Sequence, residues 1–193
     1  DLAYDGTRQR IYLANAGLNR IEIFDTRLKT FLPPVKTGQL PASLALSPDG
    51  GTLYVACAGG ETIQLIDTVR LQVVGRVRFP PIPMNAATAI ITPMVIVAHQ
   101  AGAMFITSTG QLWDVTGLDA VPRKASTAIG TNAAGQPLTM TSPFTMAASP
   151  GGERVILLNG NGNVYLYDAL VDDFVQGRQV FTTVQGYFGP VTA

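Results

Sequence analysis

A period of 42 residues constrains this chain more than any other feature. Arg10-Ile11-Tyr12-Leu13-Ala14-Asn15 is followed by Arg20-Ile21-Glu22-Ile23-Phe24-Asp25-Thr26 and then Lys29-Thr30-Phe31. Further on, Thr52-Leu53-Tyr54-Val55-Ala56-Cys57 leads to Thr62-Ile63-Gln64-Leu65-Ile66-Asp67-Thr68. Tyr54 follows Tyr12 by 42 residues, and Asp67-Thr68 follows Asp25-Thr26 by the same 42. A unit this short cannot bury its apolar side chains alone, so successive copies have to stack on one another. Each segment reads as a strand because large or β-branched side chains fall at alternate positions, putting one face toward a core. Ser47-Pro48-Asp49-Gly50 and Ala58-Gly59-Gly60 supply the tight turns between them.

The period divides the chain into units of approximately 1–40, 41–82, 83–142 and 143–189, read as one repeat domain. In the second, Ser43 to Ser47 is a first strand and Gln72 to Phe79 an outer one with Arg76 and Arg78 on its exposed side. The third is degenerate. Val95-Ile96-Val97-Ala98-His99 matches Leu53 to Cys57 at the 42-residue spacing and is expected to be a second strand, and Trp113-Asp114 stands where Ile66-Asp67 would. From Gly117 to Ser142 the outer strand is poorly marked, and an enlarged loop is expected there. The fourth unit is clear: Pro143 to Gly152 copies the stretch Pro41 to Gly50, Val155 to Asn159 is the second strand, Gly162 to Asp168 the third and Arg178 to Val184 the outer one. Finally, Pro190-Val191-Thr192-Ala193 joined to Asp1 to Gly6 aligns without a gap with Pro41 to Gly50, so both ends are expected to interrupt one innermost strand.

Composition narrows the partners. Hydrophobic residues make up 47% of the 193 and charged residues 13%, with thirteen basic side chains against thirteen acidic ones. A chain so apolar folds, and one with no basic cluster has little to hold nucleic acid or an anionic membrane. The run Ala86 to Ala98 contains Pro93 and is too short to cross a bilayer as a helix, so no membrane span is expected. One cysteine, Cys57, excludes an internal disulfide and a Cys-rich zinc site.

The Ser-Pro-Asp-Gly turn at Ser47 to Gly50, the strands around Tyr12 and Tyr54, and the Phe-Asp-Thr and Ile-Asp-Thr strand ends at Asp25 and Asp67 resemble the YVTN-type β-propeller repeat, related to WD40 and NHL repeats. The resemblance implies an all-β fold of four-stranded antiparallel blades around a channel. About four repeats are present here, against the seven or eight of a larger ring, so the chain is either a fragment of a longer array or completed by assembly. It further implies an extracytoplasmic location, periplasmic, secreted or at the cell surface, and a non-enzymatic role in protein interaction or assembly, through a protein partner or self-association at the termini. The alternative is part of a propeller enzyme, lactonase-like or quinoprotein dehydrogenase-like, with its active site at the channel mouth. A third reading makes the chain one segment of a fibre or sheath.

Candidate chemistry is sparse, and no catalytic residue and no cofactor is assigned. His99 and Cys57 are weak metal or nucleophile candidates, read as sharing one strand-end slot with Asn15 and Asn159. Two ligands make no zinc or copper site on their own, and the structural reading caps a strand end. Asp25, Asp67, Asp114 and Asp168 recur at third-strand ends, where a carboxylate accepts backbone N–H groups of the following turn. With Asp49, Gly50, Tyr12 and Tyr54 they are structural repeat positions.

Overall fold

A computed structural model describes residues 1–60, 62–79, 92–108, 110–123, 129–132, 134–138, 143–160 and 162–180. It consists of four antiparallel sheets of four strands each. The first holds β1 (Leu2–Asp5), β2 (Arg10–Asn15), β3 (Arg20–Asp25) and β4 (Thr30–Lys36). The second holds β5 (Pro41–Leu46), β6 (Thr52–Cys57), β7 (Thr62–Asp67) and β8 (Gln72–Arg76). In the third are β9 (Pro93–His99), β10 (Gly102–Thr107), β11 (Leu112–Thr116) and β12 (Asp119–Pro122); in the fourth, β13 (Pro143–Ala148), β14 (Arg154–Asn159), β15 (Asn163–Asp168) and β16 (Asp173–Gln179). Every sheet is a meander in sequence order, which is how a β-propeller blade is built.

The sheets stack face to face, and their cores lie between them. Tyr12, Ile21 and Ile23 of the first sheet pack with Leu44, Leu53, Val55 and Ile66 of the second. Ile63 and Ala56 of the second meet Phe105, Trp113 and Val115 of the third. Met104 and Leu112 of the third meet Leu157, Tyr165 and Tyr167 of the fourth. Each fully buried aliphatic side chain contributes about 1.5–3 kcal/mol, so a junction of eight or so is worth more than any turn. The innermost strands β1, β5, β9 and β13 pack in succession and wall a central cavity of about 530 Å³.

Four expectations require correction. Val95 to His99 is not a second strand: it belongs to β9, the innermost strand of the third sheet, and Gly102–Thr107 is the second. Alternation alone cannot separate a first strand from a second, and the Ser-Pro-Asp-Gly marker had been lost in this unit. Asp114 does not end its strand; it pairs with Met104 and Val121 in the middle of β11. The outer strand of the fourth sheet begins at Asp173, not Arg178, and residues 181–184 lie outside the described ones, as do parts of the loop called from Gly117 to Ser142.

The fourth correction concerns the termini. Ala3 lies opposite Tyr12 as Ala45 lies opposite Tyr54, and Asp5 lies opposite Arg10 at the station where Ser47 bonds Thr52. Asp5-Gly6 is therefore shifted by two residues from Asp49-Gly50, and Asp1 stands where Ser43 does. The correction is to the alignment of Asp1–Gly6 alone; Pro190–Ala193, the other part of the expected join, lie outside the described residues.

Candidate functional site

The innermost strands are locked to each other by one polar relay. Ser43 Oγ donates to Asp1 Oδ2 at 3.0 Å and accepts from the Ile96 N–H at 3.2 Å, while the Leu44 N–H also donates to Asp1 Oδ2 at 2.8 Å. One serine thus ties β1, β5 and β9. Next to it, Arg8 Nη1 binds Asp5 Oδ2 and the Gly50 carbonyl, both at 2.9 Å, and Arg10 Nη1 binds the Thr68 carbonyl at 2.9 Å. These arginines satisfy carbonyls of the second sheet from the first. Tyr4, Ser47, Ala98 and Ser149 are among the residues lining the central cavity.

A second polar cluster lies between the third and fourth sheets. His99, 4% exposed, closes β9, and its ring meets Tyr167 edge-on at 4.9 Å. Tyr167 Oη donates to Asp172 Oδ1 at 2.6 Å and lies 3.5 Å from His99 Nδ1. Arg123 bridges Asp172 at 2.6 Å and Asp114 at 2.8 Å, and its guanidinium sits 5.1 Å above the Tyr167 ring. Burial, helped by the positive charge of Arg123, pulls His99 down to about 4. Burial and the Asp172 acceptor push Tyr167 up, and burial raises Asp114 against the pull of Arg123. On Asp172 burial acts upward, but hydrogen bonds from Tyr167 and Arg123 outweigh it and hold that carboxyl low. At neutral pH the histidine is uncharged, and its Nε2 has no hydrogen-bond partner among the described residues.

His99 and Cys57 are not brought together. Cys57 ends β6, fully buried on the first-sheet side beside Gly38, and burial raises its thiol to about 11, which leaves it protonated and unreactive at neutral pH. His99 ends an innermost strand on the fourth-sheet side, so the slot shared with Asn15, Cys57 and Asn159 does not include it. Among the described residues no group of three His, Cys, Asp or Glu could hold a metal ion. Asp25 accepts from the N–H groups of Arg27 and Leu28, Asp67 from Val69 and Arg70, and Asp168 from Leu170. Asp49 accepts from Ser47 Oγ and the Gly51 N–H, and Gly50 follows it at a φ of +69°. Tyr12 is buried and Tyr54 half-buried, both on faces that meet the next sheet.

The first sheet also has a face that no described residue covers. Leu2, Ile11, Leu13 and Phe24 occupy the stations of Leu44, Leu53, Val55 and Ile66, one 42-residue period later. Leu53, Val55 and Ile66 are fully buried by the preceding sheet and Leu44 is 7% exposed. Leu2 is 60% exposed, Phe31 beside Phe24 is 62% exposed, and Ile11, Leu13 and Phe24 are half-buried. Apolar side chains at the same stations are thus covered in the second sheet and exposed or only half-buried in the first. The signal for this face in the sequence is the 42-residue period itself, which puts Leu2, Ile11, Leu13 and Phe24 at stations that the second sheet buries.

Four-stranded meanders around a common channel make this a β-propeller fold. No protein-family model matches the chain. Antigen Lp49 of Leptospira interrogans serogroup Icterohaemorrhagiae serovar copenhageni (strain Fiocruz L1-130) is 36% identical over 53 residues, which are 28% of this chain and 12% of that protein. Among solved structures, Kuenenia stuttgartiensis hydrazine synthase superposes with a TM-score of 0.66 at 17% identity, over 93% of this chain and 48% of that one. The β-propeller domain of Myceliophteria thermophila Cps50 (Swd1) gives 0.62 at 14% identity, over 95% of this chain and 56% of that one. At such identities the likeness is one of fold. The chain spans about half the length of these propeller structures and 12% of the curated relative. Among the described residues no helix is long and apolar enough to cross a membrane.

Proposed function

We propose that this chain is an extracytoplasmic propeller module that works in protein binding and assembly, its arc of four blades being completed by further blades. One observation carries the reading: Leu2, Ile11, Leu13 and Phe24 form an apolar sheet face that is exposed or only half-buried, while its repeat counterparts in the second sheet are buried by a neighbouring blade. A contiguous apolar surface of this kind marks an interaction site. The length of the propeller structures it resembles, about twice that of the aligned chain, supports completion. The partial match to an antigen and the resemblance to extracytoplasmic repeats support the location.

The test joins sedimentation across a concentration series to a search for turnover with lactones and quinone-dependent alcohol oxidation. The expected result is association above the mass of one chain and no turnover. A chain that stays strictly monomeric and turns over a small molecule would overturn the reading. Fractionation of cells making the full-length protein checks the location, and recovery wholly from the cytoplasm would refute it.

A further inference from the structure

The hydrogen bonding around Tyr167 fixes which nitrogen of His99 carries the proton. A phenol has one O–H, and that of Tyr167 is given to Asp172 Oδ1 at 2.6 Å, so toward His99 Nδ1, 3.5 Å away, the oxygen can only accept. The neutral ring therefore holds its proton on Nδ1, and Nε2 presents a lone pair. That nitrogen has no hydrogen-bond partner among the described residues, although His99 is only 4% exposed. An acceptor buried in this way is destabilising unless some donor reaches it.

His99 also lines a small cavity at the junction of the third and fourth sheets, about 50 Å³ in volume, together with Asp114, Thr116, Arg123 and Asp172. We infer that this cavity is an internal hydration site, whose water donates a hydrogen bond to His99 Nε2 and so ties the end of β9 to β11 and to the Arg123 bridge. The site has the room, since a single water needs about 10–15 Å³. It has the polar partners as well. Among the described residues, the hydrogen bonds that the Asp114 and Asp172 carboxylates accept fall on Oδ1 in both, which leaves an Oδ2 to take the water's second proton. Arg123 gives one N–H to Asp114 Oδ1, one to Asp172 Oδ1 and one to the Asp172 carbonyl, so others of its guanidinium remain to donate to the water's oxygen. Two bonds given and one received make up the usual complement of a buried water. The occupant is neutral. Burial and the positive charge of Arg123 in the same wall disfavour a proton on His99, and a cation at Nε2 would meet the same opposition. An apolar molecule would leave the ring nitrogen without a donor.

Two measurements on the unaltered chain test this. Long-range proton–nitrogen correlation at about pH 7, well above the folded value of His99, is expected to show Nδ1 as the protonated nitrogen. Nε2 is expected as the unprotonated one, displaced toward the protonated range by the bond it accepts, and a proton found on Nε2 overturns the hydration site. A high-resolution crystal structure is expected to show an ordered water within about 3 Å of Nε2. A dry cavity, or one closed by side chains, overturns it. Crystals grown in rubidium chloride separate a water from a cation: no anomalous peak is expected in the cavity, and one there would refute the neutral occupant. His99→Phe keeps an aromatic ring in place and removes both nitrogens, so its cavity is expected to lose the ordered water while the four sheets stay as they are. A water retained there at full occupancy would show that the carboxylates and Arg123 hold it without the ring, and would overturn the part given to Nε2. Both readings of the unaltered chain stand whether or not that variant folds.

Discussion

Ser43 lies where three strands cross, with its hydroxyl donating to Asp1 and accepting from the Ile96 amide. Removing that hydroxyl strands a buried N–H and takes away one of the three hydrogen bonds that the Asp1 carboxylate accepts, so Ser43→Ala is expected to lower the unfolding free energy by about 1–3 kcal/mol. Urea denaturation reads the change, and a variant as stable as the parent would show that water replaces the serine. Cys57 invites a different measurement. Its folded thiol titrates at about 11, above the ordinary value, so burial favours the neutral form. Its contribution is whole below about pH 9 and is lost as pH rises toward 11. Ellman's reagent at pH 8 should react only at the rate of unfolding, and faster in urea; rapid reaction in the native state would refute the burial. At this scale the turn aspartates were legible, because Asp followed by Thr at a strand end has a local cause. Asp114 was not, since the partner that explains it, Arg123, comes from the outer end of the same sheet.

The junction of the third and fourth sheets is the element whose behaviour depends on pH. Among the described residues the charged and titratable groups around His99 are Arg123, Asp172, Asp114 and the Tyr167 hydroxyl on one side, with Asp49 and Tyr54 lining a cleft beside it on the other, and burial with the Arg123 charge lowers the histidine to about 4. A depressed folded value means that the neutral ring is the stabilising form. Its contribution is complete above about pH 6.5 and drains away as pH falls toward 4, a loss of about 3 kcal/mol at most. Hydrogen exchange at pH 4.5 should therefore open β9 and β15 before the first two sheets, and His99→Gln should flatten that acid limb. Exchange that is uniform over all four sheets would exclude the device. Leu138, within the enlarged loop expected from Gly117 to Ser142, packs into the core at 4% exposure. Gly130 has φ +84°, and a Cβ there would strike the Gly177 carbonyl of β16. Gly130→Ala should cost about 1–3 kcal/mol by strain and overpacking, a result read by thermal melting. Both surprises fall in the unit whose turn marker had decayed. Periodicity finds strands, but it cannot number them once the punctuation between them is gone.

At the scale of the whole molecule, the sequence showed an array before it showed a ring. Stacked repeats share their energy with neighbours, so the end units of an array depend on what covers them. Leu53 and Ile11 make this measurable, for they are the same station in two sheets, one fully buried and one half-buried. Leu53→Ala is expected to cost about 2–5 kcal/mol by transfer and cavity terms at any protein concentration. Ile11→Ala should cost less than about 1 kcal/mol in dilute solution, where its face is wet, since exposed substitutions away from packed contacts change little. When chains associate, that face is desolvated and mass action adds binding to stability, so the penalty for Ile11→Ala should climb with protein concentration toward that of Leu53→Ala. Melting both variants and the parent from about 1 to 100 μM reads the two penalties side by side. A penalty for Ile11→Ala that stays small and flat across that range would mean that nothing in solution covers the first sheet, and the bare face would then belong to the isolated chain alone.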